Sequence, residues 1–242
     1  MRALSAHQLL DLWEEGHVAP PIERAMSLLA AASPDATRES LEQLSIGSRD
    51  AKLLQLREWV FGSELTMTAV CPSCGQTLEM TVSTPALMIP TLMEGSEQQF
   101  ELDGYSVSFR PPNTKDLAAC SGLGMAQSRR ALIERCIREA SRYGQAVPLG
   151  QLPTGVLNEV EDRIAAMDSQ ADVVLDFDCP ECHQKWKQRF DIVSFFWTEI
   201  DAWARRVLLE VNVLARTFGW RENDILAMSP ARRQIYIAMA QA

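Results

Sequence analysis

The sequence predicts an α+β protein, mostly helical, in which two cysteine-tipped hairpins make a split, discontinuous zinc ribbon with a further β-hairpin and helices inserted between its halves. Three observations carry that expectation. Cys71-Pro72-Ser73-Cys74 and Cys179-Pro180-Glu181-Cys182 each lie between two strand-like runs. Asp103-Gly104, a strong two-residue hairpin turn, separates the runs 100–102 and 105–110. Helical periodicity dominates most of the rest, above all in 191–218.

Taken in order, residues 6–15, 22–32 and 49–61 place apolar side chains at helical spacing, as with Leu53, Leu56 and Val60. Ser48 is the expected N-cap of the third helix and Gly62 its stop. Runs 64–70 and 76–83, rich in Thr, Val and Met, flank the first cysteine pair as a hairpin. A loose segment, 84–96, follows, with two prolines and the apolar cluster Leu87-Met88-Ile89. After the Asp103-Gly104 hairpin, Pro111-Pro112-Asn113-Thr114 ends the sheet and caps a helix. Residues 114–168 are expected to be mostly helical, with breaks at 122–124 and 144–153. Runs 173–177 and 185–190 flank the second cysteine pair. In the long helix, Phe196, Ile200, Trp203, Val207, Val211, Leu214 and Phe218 form one stripe, and Gly219 is placed to end it. Short helices near 222–227 and 230–239 complete the chain. By texture the chain divides into a helical region 1–62, a ribbon region 63–190 and a helical region 191–242, expected to pack as one unit.

Composition narrows the function classes. A net charge of −9 disfavours unspecific binding to nucleic acid or anionic membrane. No run reaches the roughly 18 apolar residues that span a bilayer, so membrane insertion is not expected. The opening stretch 1–13 lacks the basic start and apolar run of a secretory signal, which leads us to expect folding in the cytoplasm. Six cysteines in such a chain read as metal ligands plus spares, with Cys120 and Cys136 as core residues of helical runs.

Cys71, Cys74, Cys179 and Cys182 are the candidate ligands of a structural Zn²⁺. Tetrahedral zinc accepts four thiolates, and two Cys-x-x-Cys turns supply them with no position left open. The turns match closely, Val70-Cys-Pro-Ser-Cys-Gly75-Gln76 against Asp178-Cys-Pro-Glu-Cys-His183-Gln184. Their separation is unusual, because 104 residues lie between Cys74 and Cys179. Redox-active Cys-x-x-Cys pairs sit at helix N-termini, whereas these sit at hairpin tips. The run Cys179 to His183 formally matches a c-type haem attachment, but that leaves the twin pair unexplained. His183, opposite Gly75, reads as a turn residue. With only His7, His17 and His183, and with no phosphate loop or nucleophile elbow, the sequence points away from an enzyme and from a small-molecule substrate. Lys185, Lys187 and Arg189 alternate after the second pair, a pattern open to nucleic-acid binding and to a solvated strand face. Residues 191–242 hold six Arg against six acids and no Lys, which is not the dense positive surface that backbone binding needs.

A resemblance adds to these readings. It rests on Phe190-Asp191-Ile192-Val193-Ser194-Phe195-Phe196-Trp197-Thr198-Glu199-Ile200 after the second pair, with Trp186 before it. Gly219-Trp220-Arg221-Glu222 and Ser229-Pro230-Ala231-Arg232-Arg233-Gln234-Ile235-Tyr236 follow. Ile46-Gly47-Ser48-Arg49-Asp50, Leu56-Arg57-Glu58 and Phe61-Gly62 precede the first pair. In this order the motifs resemble the T4-type baseplate family of contractile phage tails and phage-tail-like injection systems, from about residue 40 onward; 1–40 and 84–96 carry no matching motif. The resemblance implies a non-enzymatic structural or assembly component whose partners are other baseplate, hub or tube proteins. It also implies assembly in the cytoplasm and a place in a released particle. Two alternatives stand beside it: an assembly chaperone absent from the finished particle, and a zinc-ribbon nucleic-acid-binding protein. Phe195 and Trp197, off the main stripe, fit either a helix buried on two sides or a protein–protein surface, as do Leu87-Met88-Ile89 and Tyr236-Ile237-Met239.

Overall fold

The computed structural model describes residues 1–89 and 97–240. Helices α1 (Ala6–Gly16), α2 (Pro21–Ala32), α3 (Arg38–Glu42) and α4 (Ile46–Phe61) lead into the hairpin β1 (Glu64–Val70) and β2 (Thr77–Ser83). A single helical turn α5 (Thr84–Leu87) follows, then β3 (Gln98–Leu102), β4 (Tyr105–Phe109), α6 (Thr114–Ala119) and α7 (Met125–Cys136). Strands β5 (Ile137–Arg142) and β6 (Gln145–Ala146) precede α8 (Thr154–Met167) and a second hairpin, β7 (Val174–Asp178) and β8 (Lys185–Arg189). The chain closes with α9 (Ile192–Phe218), α10 (Glu222–Leu226) and α11 (Pro230–Ala240). This mixture of helices and small antiparallel sheets agrees with the α+β class. Of the loose segment 84–96, the part 90–96 lies outside the described residues.

One compact unit combines 1–34 with 192–242, and the other spans 35–191.

In the first unit, α1 starts at a capping box, where Ser5 Oγ accepts from the Gln8 amide and the Gln8 side chain accepts from the Ser5 amide, both at 3.2 Å. The stripe of α9 buries Phe196, Ile200, Val207, Val211 and Leu214, together with the small Ala204. Phe218 ends the stripe at the surface, and Gly219, at φ +68°, terminates the helix through its amide bond to the Ala215 carbonyl at 2.9 Å. Trp197 is only 8% exposed. Its indole fills the space where any side chain at Gly16 would sit, and the Arg24 guanidinium stacks 4.5 Å from its ring centre while donating to the Gly16 carbonyl at 2.9 Å. Burial on a second helix face therefore explains this tryptophan. A buried ion pair ties α11 to α9: Arg233 Nε donates to Glu210 at 2.9 Å, Gln234 donates to the other carboxylate oxygen at 2.6 Å, and Arg233 also reaches the Met228 carbonyl.

In the second unit, α4 begins three residues earlier than the sequence suggests. Ser45 is the N-cap, its hydroxyl accepting from the Ser48 amide at 3.1 Å, so Ser48 lies inside the first turn. Gly62, at φ +93°, ends the helix as expected. The buried Arg57 then donates to the carbonyls of Gly62 (2.6 Å) and Glu64 (2.9 Å), fixing the path from α4 into β1.

Asp103-Gly104 makes the expected hairpin turn, with both residues at positive φ. Its two strands belong to a four-stranded sheet in the order β3-β4-β5-β6. Strand β5 corrects the expectation of helix through this part of 114–168, while β6 falls within the expected break at 144–153. Tyr143-Gly144 forms a second positive-φ turn, and the Tyr143 amide bonds to the Gly104 carbonyl at 2.9 Å. A register shift at Ser108/Phe109 places Ile137 and Ala140 in the core with Arg138 and Glu139 exposed between them. That spacing of three mimics helical periodicity. Phe100, Val107, Phe109 and Ile137 pack with Val156, Leu157 and Val160 of α8. Asn113 caps α6 as expected, in a box with the buried Asp116. Burial would raise the Asp116 carboxyl, but Arg110, the Asn113 amide and Arg135 hold it below its ordinary range. Cys120 and Cys136 are both buried, and burial pushes the Cys136 thiol up to about 12.

Candidate metal centre

Each cysteine pair sits in a turn at the end of an antiparallel hairpin. In the first, β1 and β2 pair up to Val70↔Thr77, the Cys71 amide bonds to the Gln76 carbonyl at 2.8 Å, and the Gly75 amide returns to the Cys71 carbonyl at 3.0 Å. In the second, β7 and β8 pair up to Asp178↔Lys185, with the same two bonds from Cys179 to Gln184 (3.0 Å) and from His183 to Cys179 (2.9 Å). Gly75 at φ +75° and His183 at φ +57° occupy the same left-handed position. His183 thus serves the backbone turn, and it lies outside the group of residues able to share a metal ion.

The two tips bring Cys71, Cys74, Cys179 and Cys182 together, with all four sulfurs within 4.8 Å of one another. Across the knuckles, Cys71 Sγ lies 3.6 Å from Cys182 Sγ, and Cys74 Sγ lies 3.6 Å from Cys179 Sγ. A tetrahedron with metal–sulfur bonds of about 2.3 Å has edges of about 3.8 Å. The spacing thus fits one four-coordinate ion. Cys71 and Cys179 are buried, while Cys74 and Cys182 face solvent.

The electrostatics agree with that fit. Burial opposes ionisation of Cys71, yet the amides of Cys74 and Ser73 and the neighbouring sulfurs of Cys182 and Cys74 bring its thiol down to about 7. The Gln76 amide favours a thiolate at Cys74, but Cys182, burial, Cys179 and Cys71 push it up to about 12. The opposite directions have one cause. Four adjacent sulfurs accommodate a first negative charge readily and resist the next, and a cation removes that resistance.

Contacts far from the tips hold the hairpins in place, and the sequence reading did not single them out. Asp168, at the C-terminal end of α8, accepts from the Gly47 amide at 2.9 Å and from the Ser45 hydroxyl at 3.0 Å, so it caps α4 from 121 residues away. Burial raises its carboxyl above the usual range against the pull of those two donors. A side chain at Gly47 would collide with the Asp168 carboxylate. The buried Gln170 accepts from the Ile89 amide at 2.6 Å and donates to the Leu87 carbonyl at 3.2 Å. Segments flanking the first hairpin are thereby bound to the segment that leads into the second. The available signal was an acidic residue at a helix C-terminus, where the dipole disfavours it.

The alternating cations of β8 are partnered. Lys185 pairs with Asp178 at 3.3 Å, Lys187 with Asp176 at 3.6 Å, and Arg189 with Asp172 at 3.0 Å. The face is solvated and locally neutral. Of the two apolar groups with open readings, Leu87 is buried, Met88 is exposed, and Tyr236 and Ile237 pack partly on the core of the first unit while Met239 is exposed. No helix among the described residues is long and apolar enough to cross a membrane.

A family model described as T4 bacteriophage base plate protein matches residues 21–197, most of the chain and both cysteine knuckles. Comparison with curated proteins and with solved structures finds no match. That match, over most of the chain, leads to one assignment: the chain belongs to the T4 bacteriophage base plate protein family.

Proposed function

We propose that the chain is a non-enzymatic structural or assembly component of a contractile, phage-tail-like baseplate, closed by one structural Zn²⁺ on Cys71, Cys74, Cys179 and Cys182. The observation that carries the metal part is the convergence of four sulfurs from two matched knuckles at 3.6 Å across the pair. Zinc suits the site because four thiolates are its preferred closed ligand set and leave no open position for catalysis. The two hairpins then act as the halves of a split ribbon, and the sheet and helices between them are its insertion.

Closing a loop of about 100 residues removes on the order of 5 kcal/mol of unfolded-chain freedom. Metal binding contributes further, since apparent folding gains for structural zinc reach about 10–16 kcal/mol in small peptides. Its role is to hold the second unit in one shape for docking. Family membership supports other baseplate, hub or tube proteins as the partners, met during assembly in the cytoplasm. The ion-paired β8 face speaks against nucleic acid.

Isolation of finished particles from cells producing a tagged chain tests the function. Recovery at fixed stoichiometry with tube, hub or wedge proteins supports a resident component. Absence from particles that fail to assemble without the chain makes it a chaperone instead. Salt-sensitive DNA binding at physiological ionic strength, with no tail protein recovered, overturns the assignment.

A further inference from the structure

Two sulfur–sulfur contacts of 3.6 Å cross between the two knuckles, and each joins one buried cysteine to one exposed cysteine. Cys71 (1% exposed) faces Cys182, and Cys179 (0%) faces Cys74. From the geometry we infer that the clasp is redox-convertible: a peroxide oxidant expels the metal and leaves two disulfides, Cys71–Cys182 and Cys74–Cys179, that keep the same loop closed. The inference rests on the metal-clasp assignment above.

The chemistry balances sulfur by sulfur. The exposed thiolate of Cys74 or Cys182 attacks one oxygen of hydrogen peroxide, the O–O bond breaks, a sulfenic acid forms and hydroxide leaves. The buried thiolate of the facing knuckle then attacks the sulfenic sulfur, the S–O bond breaks, and a disulfide forms with loss of a second hydroxide. Each pair of thiolates passes two electrons to one peroxide as its disulfide forms, so two peroxides convert the cluster. The metal loses its ligands and dissociates.

Three features favour cross-knuckle bonds. The facing sulfurs at 3.6 Å need to approach by only about 1.6 Å to bond. Backbone bonds within each turn, Cys71 to Gln76 and Cys179 to Gln184, hold the knuckle shapes while the side chains move. The anchors at Asp168 and Gln170 keep the hairpins together when the metal is gone. In contrast, bonds within each Cys-x-x-Cys would close two short loops and release the long one. Such a clasp suits a protein built in a reducing cell and carried out of it, because closure survives loss of the ion.

The test is peptide mapping of the whole, metal-loaded protein after titration with hydrogen peroxide. Trypsin leaves both cysteines of each knuckle in one peptide, 58–115 or 164–185, because Arg110 is followed by proline. Cross-knuckle bonds hold these two peptides together without reductant; bonds within the knuckles let them separate. The expected result is release of one metal per chain, a fall in thiols counted in denaturant from six to two, and a linked peptide pair. Cys74→Ser/Cys179→Ser retains the facing pair Cys71 and Cys182 and is expected to give the same linked peptides through one bond. Separate peptides with internal disulfides, or unlinked peptides carrying sulfinic acids, overturn the inference. Absence of metal before oxidation overturns the zinc assignment instead, and the peptide map still reports whether the bonds run across the knuckles or within them.

Discussion

Asp168→Ala tests whether the ends of the long insertion are held by packing distant from the metal. The carboxylate accepts from the Gly47 amide at 2.9 Å and the Ser45 hydroxyl at 3.0 Å in a buried site. Two hydrogen bonds to a charged acceptor contribute roughly 3–6 kcal/mol gross, and burial of the charge offsets part of that. Truncation also leaves the Gly47 amide without an acceptor, which by itself costs about 1–3 kcal/mol. We expect a net loss of about 2–4 kcal/mol, measured by urea unfolding at pH 7 with the metal present. Asp168→Asn keeps one acceptor oxygen and should lose about half as much. Hydrogen exchange should speed up first at the α4 amides of 46–49. An Asp168→Ala protein within about 0.5 kcal/mol of wild type, with α4 exchange unchanged, would refute the assigned role of this contact.

Other substitutions probe separate parts of the fold. Glu210→Ala strands the buried Arg233 guanidinium and should cost about 3–5 kcal/mol, whereas Glu210→Leu with Arg233→Met should restore most of it; equal stability of wild type and both variants would contradict the assignment. Burial, with smaller contributions from Asp191 and Asp168, raises Asp50 to about 6 despite its 2.7 Å ion pair with Arg49. A raised acid contributes stability below its unfolded value near 3.8 that is lost as pH rises through about 6. Asp50→Asn should therefore gain on wild type across that window, by on the order of 2–3 kcal/mol, and parallel pH profiles would rule the effect out. His183→Gly relieves the left-handed strain and should raise stability by about 0.5–1 kcal/mol with metal content unchanged, while loss of metal would make His183 a ligand.

Much of the candidate site was legible because its signals are local. Cys-x-x-Cys, the residues that flank it and the match of His183 to Gly75 as turn residues all lie within one turn. The Asp103-Gly104 hairpin was equally clear. Strand β5 was obscured because the shift in its pairing with β4 buries Ile137 and Ala140 three residues apart, a spacing that suits a helix. The cap of α4 was misplaced for another reason. Ser45 and Ser48 are both good caps, and the deciding partner, Asp168, lies far along the chain. The pairing of 1–34 with 192–242 arises from tertiary packing, such as Gly16 under Trp197, for which sequence periodicity offers no partner.

Metal analysis of the purified chain by mass spectrometry is the most direct measurement of the clasp. One zinc per chain in wild type is expected, falling to a negligible level when Cys71, Cys74, Cys179 and Cys182 are all replaced by serine. Less than one zinc per two chains after folding with the metal supplied would contradict a closed four-thiolate site.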